Sequence, residues 1–236
     1  MINGFYAAKS GAKAFQTSLD ITANNIANAN TQGYKAQSLS FTDLVYTNSQ
    51  GLDILTGNGA RVAGTSIITE QAGLQLNDGG YDVAVDGEGF IAVQDAQGQQ
   101  VYTRAGSFNL SVEGNQLFLT MPGGEYALDQ NGQRIQVQSG NPQDVRAAFG
   151  QVALYAFPNP SALAPLGNGL YAQTAASGQA AIDPGSGLIE SASEVSNVDL
   201  TAEITRLMIA QRGMQMNLRM IQTADELEQD VNTLRT

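Results

Sequence analysis

Apolar side chains recur at alternating steps of three and four residues along the first thirty positions of the chain. These positions are Phe5, Ala8, Ala12, Phe15, Leu19, Thr22, Ile26 and Ala29. The alternation is the a/d pattern of a coiled-coil seam and predicts a long helix over residues 2–30. Because the only charged residues in residues 1–30 are Lys9, Lys13 and Asp20, we expect protein rather than water on most sides of this helix. Gly33 is suited to end it, since glycine readily adopts positive φ.

The end of the chain carries a matching pattern. A first stripe consists of Leu200, Ile204, Leu207, Gln211, Met214, Leu218 and Ile221, and a second of Met220, Ala224, Leu227, Val231 and Leu234. These stripes predict a helix over residues 199–234, with several possible N-caps in Ser196-Asn197-Val198-Asp199. The change of stripe indicates either a stutter or two contact faces on one helix. The helices must pair with each other, with copies from other subunits, or with both.

Period-two runs replace the helical period between residues 36 and 190. Short candidate strands such as "YDVAV", "GFIAVQD", "NQLFLTM" and "QVALYAF" alternate with "DAQGQ", "VEGN", "MPGG" and "DQNGQ", which carry the glycine and asparagine that tight turns require. This pattern predicts an all-β module, a meander that folds into a sandwich or partial barrel. Residues 46–66 contain little periodicity and are interpreted as an extended connector.

The predicted fold class is therefore α+β and multidomain. Terminal helices in residues 1–35 and 196–236 form a discontinuous coiled-coil domain that encloses the chain's β module. Residues 36–75 are the extended connector, and residues 76–190 are the central β-rich domain.

Composition narrows the classes of function. Charged residues make up 14 % of the chain, well below the roughly 25 % of an ordinary soluble domain, and the net charge is −11. A surface of neutral polar groups costs little to desolvate and suits a protein that buries its outside against neighbours. A chain this acidic, with no basic run, is not expected to bind nucleic acid. No stretch approaches the ~20 apolar residues of a membrane span, so membrane insertion is not expected either.

Cysteine, histidine and tryptophan are absent from the sequence. Thiol chemistry, histidine-dependent acid–base catalysis and the usual zinc sites are thereby excluded. The first residues lack the basic region and apolar core of a cleavable secretion signal, so we expect either a cytosolic protein or export without signal cleavage.

Four segments, in this order, resemble the bacterial flagellar rod and hook family. They are "NNIANANTQGYKAQ" (24–37), "DVAVDGEGFIAVQD" (82–95), "YTRAGSFNL" (102–110) and "SNVDLTAEITRLMIAQR" (196–212). One departure from the family pattern is Gly213-Met214, where an aromatic residue is frequent. The resemblance spans nearly the whole chain.

This resemblance implies a structural subunit whose terminal coiled-coil domain lines an axial tube and whose β-rich domain lies outside it. It implies a helical homopolymer in the periplasm-spanning basal body that transmits torque and forms the export channel. The implied partners are copies of the chain itself, other rod and hook proteins, the ring proteins and the type III export gate. The size of the β module resembles that of the rod proteins of intermediate length, distal or proximal. The distal rod subunit is favoured over the proximal one, and a short hook-type subunit is the alternative.

The polymer interface is predicted on the two helices. Its residues are Phe5, Phe15, Leu19, Asn24, Asn25, Ile26, Asn28, Asn30, Leu200, Ile204, Leu207, Met214, Leu218 and Ile221. The asparagines stand out because amides both donate and accept hydrogen bonds and can set register between neighbouring helices. The alternative is that they only cap a fraying helix end.

Phe41 and Val45 fit the Phe-x-x-x-apolar pattern through which subunits of this family dock at the export gate. Two apolar side chains four residues apart can enter a groove as one helical turn. The alternative is that both residues anchor the core of the β module.

No catalytic residue, cofactor site or metal site is predicted. Asp82, Asp86 and Glu88 could in principle form the carboxylate pair of a peptidoglycan hydrolase, but turn positions and a solvated strand face explain all three. The spacing of a calcium loop is also missing. A surface adhesin is a further alternative, which would require a signal or an anchor.

Overall fold

A computed structural model describes residues 2–45, 47–48, 55–77 and 81–234. The helices are α1 (Ile2–Ala27), α2 (Pro142–Phe149) and α3 (Leu200–Leu234), with a 3₁₀ turn at Pro160–Ala162. The strands are β1 (Gln37–Asp43), β2 (Thr47–Asn48), β3 (Leu55–Thr56), β4 (Ala60–Ile67), β5 (Leu74–Leu76), β6 (Tyr81–Asp86), β7 (Phe90–Gln94), β8 (Gln100–Thr103), β9 (Ser107–Glu113), β10 (Gln116–Thr120), β11 (Tyr126–Ala127), β12 (Gln136–Val137), β13 (Leu154–Ala156), β14 (Ala164–Gly167), β15 (Leu170–Ala172), β16 (Ala181–Ile182), β17 (Gly187–Glu190) and β18 (Ala192–Glu194). The order is a long helix, a mostly β middle and a second long helix, as predicted.

The chain forms two compact units. The helical unit comprises residues 1–27, 37–66 and 199–236, and the β-rich unit comprises residues 28–36 and 67–198. The domain boundaries predicted from the sequence stay a prediction. Parts of the predicted domains lie outside the described residues: residue 1, residues 46 and 49–54 of the connector, residues 78–80 and residues 235–236.

In the helical unit, α1 and α3 are the largest elements. Strand β1 pairs with β4, so the segment interpreted as an extended connector contains a small sheet. Helix α3 begins at Leu200 because Asp199 caps it: the Asp199 Oδ1 accepts hydrogen bonds from the N–H groups of Thr201 (2.9 Å) and Ala202 (3.2 Å). Helix α1 ends at Ala27, earlier than the predicted residue 30, and Gly33 lies in the turn that follows.

In the β-rich unit, twelve of the described strands join one sheet. Its central path runs β14-β15-β8-β7-β11-β10-β9-β6-β17, with β12 on β10 and with β13 and β16 added at β7. Neighbours in sequence form hairpins, as in a meander, but β6 also pairs with β9 and β17. Such long-range pairs carry no local turn signal, which is why the sequence pattern did not reveal them.

Two of the predicted turns are each closed by an aspartate side chain that accepts hydrogen bonds from the backbone. Asp95 Oδ1 accepts hydrogen bonds from the N–H groups of Gln97 and Gln99 between β7 and β8. Asp129 Oδ1 does the same for Asn131 and Gln133. An aspartate that satisfies the backbone two and four residues ahead closes a tight turn and sets the strand register.

The main hydrophobic core lies in the β-rich unit, between the sheet and α2. Val145, Ala148 and Phe149 of α2 are buried, and the Phe149 ring lies 6.0 Å from that of Phe108. Helix α2 was not predicted from the sequence. Its signal was Asn141-Pro142, with proline at the start of the helix, followed by Gly150 at its end.

Candidate assembly surfaces and a buried charge cluster

Helices α1 and α3 pair antiparallel within the helical unit. A Cβ on Gly213 would lie 2.6 Å from Phe15 Cζ, and one on Gly11 would lie 3.0 Å from Asn217 Nδ2. The later residue of α1, Phe15, thus contacts the earlier residue of α3, Gly213, which shows that the two helices run in opposite directions. The Phe15 ring fills the space over Gly213, which gives a physical reason for glycine near the position where an aromatic is frequent in the family.

The covered positions of α1 include the predicted ones together with Ala14 and Asn25, which the pattern did not contain, and the seam on α3 differs from the predicted one. None of the predicted seam residues of α1 is exposed. On α3 the positions that are not exposed are Ala202, Glu203, Leu207, Ala210, Gly213, Met214, Asn217, Ile221 and Ala224. Leu207, Met214 and Ile221 belong to the first predicted stripe and Ala224 belongs to the second. Three further seam positions, Glu203, Ala210 and Asn217, each lie one residue before a predicted one, namely Ile204, Gln211 and Leu218. The pattern did not identify them because none of the three is a large apolar residue.

Two apolar faces of α3 are left exposed. The first face consists of Leu200, Ile204, Met208 and Leu218, and the second face of Ile209, Met216, Met220, Leu227, Val231 and Leu234. At 100° per residue the first face is centred roughly 90° from the seam, and the second lies roughly 120° from it on the other side. The change of stripe in the sequence therefore corresponds to separate faces of one uninterrupted helix. Methionines Met208, Met216 and Met220 are exposed on these faces, so they do not fill a core.

Asn25, one of the predicted interface asparagines, is buried in the subunit's own fold. Its side chain is 1 % exposed. Asn25 Nδ2 donates to the carbonyl of Gln37 (2.8 Å), and Asn25 Oδ1 accepts from the N–H of Gln37 (2.9 Å). The amide thus joins the end of α1 to the start of β1 inside the helical unit. Asn24 and Asn30 are exposed and Asn28 is half-buried, so an intersubunit role for these three stays a prediction.

This difference predicts distinct phenotypes for neighbouring asparagines. Asn25→Ala should destabilise the helical unit by roughly 2 kcal/mol, because it leaves both backbone groups of Gln37 without their partner. Urea unfolding of the monomer, followed by helical circular dichroism, measures this loss. The double variant Asn24→Ala, Asn28→Ala is the comparison and should weaken filament assembly while the monomer stays folded. Equal destabilisation by both variants would contradict the assignment.

Phe41 and Val45 do not anchor the core of the β module. Phe41 is 48 % exposed on β1 of the helical unit, with its ring 6.0 Å from that of Phe15, and Val45 is 82 % exposed. The core-anchor alternative is therefore wrong for both. Docking at the export gate stays a prediction, and it would require the β1 segment to leave its strand conformation.

A cavity of about 270 Å³ lies between α1, β1 and α3 of the helical unit, lined in part by Phe15, Phe41 and Ile209. Glu203 also lines it and is buried, with its Oε1 accepting from Arg206 Nη1 at 2.6 Å. The seam thus contains one buried carboxylate that the hydrophobic pattern did not indicate.

The β-rich unit contains a cluster of three fully buried charges. Lys35 Nζ lies 2.7 Å from Glu194 Oε1, and Arg104 Nη1 lies 3.5 Å from Glu194 Oε2. All three side chains have 0 % exposure. The cluster therefore places one anion between two cations in a medium of low dielectric constant, where each charge depends on its partners.

Backbone groups complete the cluster. Lys35 Nζ donates to the carbonyl of Glu70 (2.8 Å), Arg104 Nη2 donates to that of Gly87 (2.7 Å), and Glu194 Oε1 accepts from the N–H of Ala72 (2.9 Å). Burial lowers the pKa of Lys35, and it lowers that of Arg104 as well, while Glu194 acts against both shifts. The Arg104 guanidinium also lies over the ring of Phe90, 5.1 Å from its centre.

The cluster brings together the segments that the sequence analysis singled out. Lys35, Arg104 and Gly87 each belong to a different one of the four motifs, and Glu194 lies two residues before the fourth. Beside the cluster, the N–H of Ala36 donates to Asn197 Oδ1 (2.7 Å), and Asn197 Nδ2 donates to the carbonyl of Ile68 (2.8 Å). The motifs thus include residues that close the β-rich unit around its first and last segments. One feature of the sequence could have indicated this cluster. Charged residues are scarce in the chain, yet the motifs contain Lys35 and Arg104.

The hydroxyl of Tyr171 accepts a hydrogen bond from the N–H of Lys35 (3.4 Å), and burial raises the pKa of Tyr171 to about 12. Its pKa in the unfolded chain is near 10.0, so the folded state holds the proton more tightly. This stabilisation is fully present below pH 10 and is lost as the pH rises through about 12. We expect the free energy of unfolding to fall over this interval, with a shallower fall in Tyr171→Phe. An identical slope in both proteins, measured by urea titration at each pH, would contradict the expectation.

The candidate catalytic carboxylates lie in different surroundings. Asp82 Oδ2 accepts a hydrogen bond from Asn77 Nδ2 (2.9 Å), whereas Asp86 and Glu88 are exposed. Within the described ranges, no group of three or more acidic side chains is placed to hold a metal ion. In the same part of the chain, no helix is long and apolar enough to cross a membrane.

Sequence models of three protein families match the chain. They are "Flagella basal body rod protein" over residues 5–35, "Flagellar hook protein FlgE/F/G D1 domain" over residues 84–148 and "Flagellar basal body rod FlgEFG protein C-terminal" over residues 189–234. The flagellar basal-body rod protein FlgG of Caulobacter vibrioides is 35 % identical over 97 % of this chain and 98 % of the relative. FlgG of Bacillus subtilis is 33 % identical over the whole of both chains. The flagellar hook-basal body complex protein FlhP of Bacillus subtilis is 25 % identical, also over the whole of both chains.

Proposed function

Because this chain belongs to the flagellar basal-body rod family and is a structural subunit of the rod, we propose that it polymerises helically into the axial shaft that transmits torque. The distal rod is the segment that fits the name of its relatives, FlgG. The polymer also forms the channel through which later subunits are exported. Its partners are further copies of the chain, other rod and hook proteins, the ring proteins and the type III export gate.

The observation that best supports polymerisation is the exposure of the two apolar faces of α3. A monomeric protein rarely leaves a contiguous apolar stripe along a helix of 35 residues in water. Burial of these side chains contributes about 25 cal/mol per Å² to association. In the proposed polymer they are covered by neighbouring subunits, and the terminal segments 1–35 and 196–236 form the coiled-coil domain around the channel.

The β-rich unit suits a mechanical role. Its twelve-stranded sheet and buried charge cluster resist local opening, since breaking a buried pair exposes an uncompensated charge. We infer that this unit forms the stiff outer part of the shaft, which turns inside the ring proteins. The rod family is structural and in general not enzymatic, and we propose no catalytic role.

Electron microscopy of the purified protein at high concentration, alone and with candidate rod proteins, tests this proposal. We expect filaments or tubes in at least one of these mixtures. A strain that lacks the gene should build no complete basal body and should not swim. Complete basal bodies in that strain would refute the function, and tubes of hook dimensions would favour the short hook-type subunit instead.

A further inference from the structure

Four of the charged residues of α3 form a stripe with a sign change along it. Arg212, Arg219, Glu226 and Asp230 are all exposed. At 100° per residue they lie on one side of the helix, opposite the α1 seam and between the first and second apolar faces. The basic pair comes first and the acidic pair follows towards the end of the helix. Within the described residues, none of these four side chains forms an ion pair.

The acidic end of this stripe is unfavourable in a single chain. Negative side chains near a helix C-terminus oppose the helix dipole, and the last turn of α3 contains no basic residue. Glu226 and Asp230 are also like charges four residues apart, which destabilises a helix. A partner that fits this region therefore presents cationic side chains beside an apolar surface.

The same chain carries such a partner surface. Arg212 and Arg219 lie beside the first apolar face, and Lys9 and Lys13 of α1 lie close to their level because Gly11 faces Asn217. The chain has 11 basic residues against 22 acidic ones, so this grouping of unpaired cations is unusual for it.

Two independent offsets along α3 agree. The midpoint of the arginine pair lies about 12.5 residues before that of the acidic pair, and the midpoint of the span of the first face, residues 200–218, lies about 12.5 residues before that of the second face, residues 209–234. At 1.5 Å per residue each offset is roughly 19 Å. When a parallel neighbouring helix is displaced by this distance, the second apolar face of one copy meets the first apolar face of the other. The acidic pair of one copy then lies beside the arginine pair of the other.

We propose that the second face of α3 in one subunit packs on the first face of α3 in the next copy, in parallel and displaced by roughly 19 Å, with Glu226 and Asp230 against Arg212 and Arg219. The two surfaces are different, so each added copy leaves one of each kind open. Such a heterologous contact continues into a filament, whereas two identical surfaces would close into a dimer. The inference rests on the proposed function and names the partner surface and register of its polymer.

Charge reversal tests the contact. R212E/R219E and E226R/D230R should each raise the protein concentration at which filaments form by at least about tenfold, because like charges then face each other across the interface. These variants change the net charge in opposite directions, so each controls for a general charge effect. The fourfold variant R212E/R219E/E226R/D230R and an equal mixture of the two double variants should both assemble like the wild type. High salt should reduce the differences.

Cross-linking tests the register. Because the chain contains no cysteine, single substitutions give unambiguous products. An offset of about 12 residues places Met208 of one copy beside Met220 of another, so a mixture of M208C and M220C copies should cross-link between chains. M220C copies alone should not.

Each outcome decides between the possibilities. Filaments that are indifferent to the charge reversals would overturn the contact and leave the proposed function intact. Closed dimers joined through M220C alone would show a two-fold pairing of α3 with α3 and would also overturn it. If the wild-type chain formed no filament and entered no rod in cells, the proposed function would fail, and the contact would fail with it.

Discussion

Replacement of Glu194 by glutamine is expected to destabilise the β-rich unit by about 3–5 kcal/mol, which is the usual cost of removing one partner from a buried ion pair. The substitution preserves size but leaves Lys35 and Arg104 as two buried cations without an anion. The glutamine NH₂ group would also face a hydrogen-bond donor, Lys35 or Arg104, at a site where the carboxylate accepted a hydrogen bond. We expect the melting temperature to fall by roughly 10 °C. Tyrosine fluorescence can monitor this transition, because the chain has eight tyrosines and no tryptophan.

Lys35→Met is the matched control for this prediction. It removes one of the two cations and leaves Arg104 paired with Glu194, so the remaining cluster is electrically balanced. We expect a smaller cost of roughly 1–2 kcal/mol, from the lost hydrogen bonds of Lys35 Nζ to the Glu70 carbonyl and to Glu194 Oε1. If this variant were as unstable as Glu194→Gln, the balance of charge would not be what stabilises the unit.

Gly33→Ala should have an effect of similar size by a different route. Gly33 has φ +67°, and a Cβ there would lie 2.5 Å from the backbone nitrogen of Ala105. The N–H of Gly33 also donates to the carbonyl of Glu194 (2.8 Å), so the residue cannot move away freely. A left-handed alanine costs about 1–2 kcal/mol, and displacement of packed backbone adds roughly 1–3 kcal/mol. Urea unfolding of the β-rich unit measures the sum.

Gly114→Ala separates the two contributions. Gly114 has nearly the same φ, +66°, but a Cβ at this position would meet no atom within 4 Å. The variant should therefore lose only the conformational part, about 1–2 kcal/mol. Equal losses in the two variants would mean that the close approach of residues 33 and 105 contributes nothing to stability.

The parts of this protein that follow from local pattern were predictable. Helices α1 and α3 were expected because their apolar positions recur with helical spacing, and the structure contains both. The turns at Asp95 and Asp129 were expected because glycine and asparagine cluster there. The short helix α2 was missed, since eight residues inside a β-rich region give too few repeats for a period to be recognised.

The candidate sites depended on contacts between distant residues. Lys35 and Glu194 are 159 positions apart and Arg104 and Glu194 are 90 apart, so no window of sequence contains the cluster. The seam of α3 was likewise misplaced by one residue at alternate positions, because Glu203, Ala210 and Asn217 become interior only through the particular fit of α1. Asn25 was assigned to the polymer for the same reason: its partner, Gln37, approaches only after the chain has turned back.

The sequence by itself determined the kinds of elements, their order and the heptad spacing that makes the terminal helices adhesive, because periodicity and turn chemistry act between residues a few positions apart. The tertiary structure alone decided which face of α3 is covered by α1 and which faces remain exposed. It also decided which of the few charges are buried together. These outcomes depend on packing between segments far apart in the chain, where one residue of displacement exchanges an inner position for an outer one.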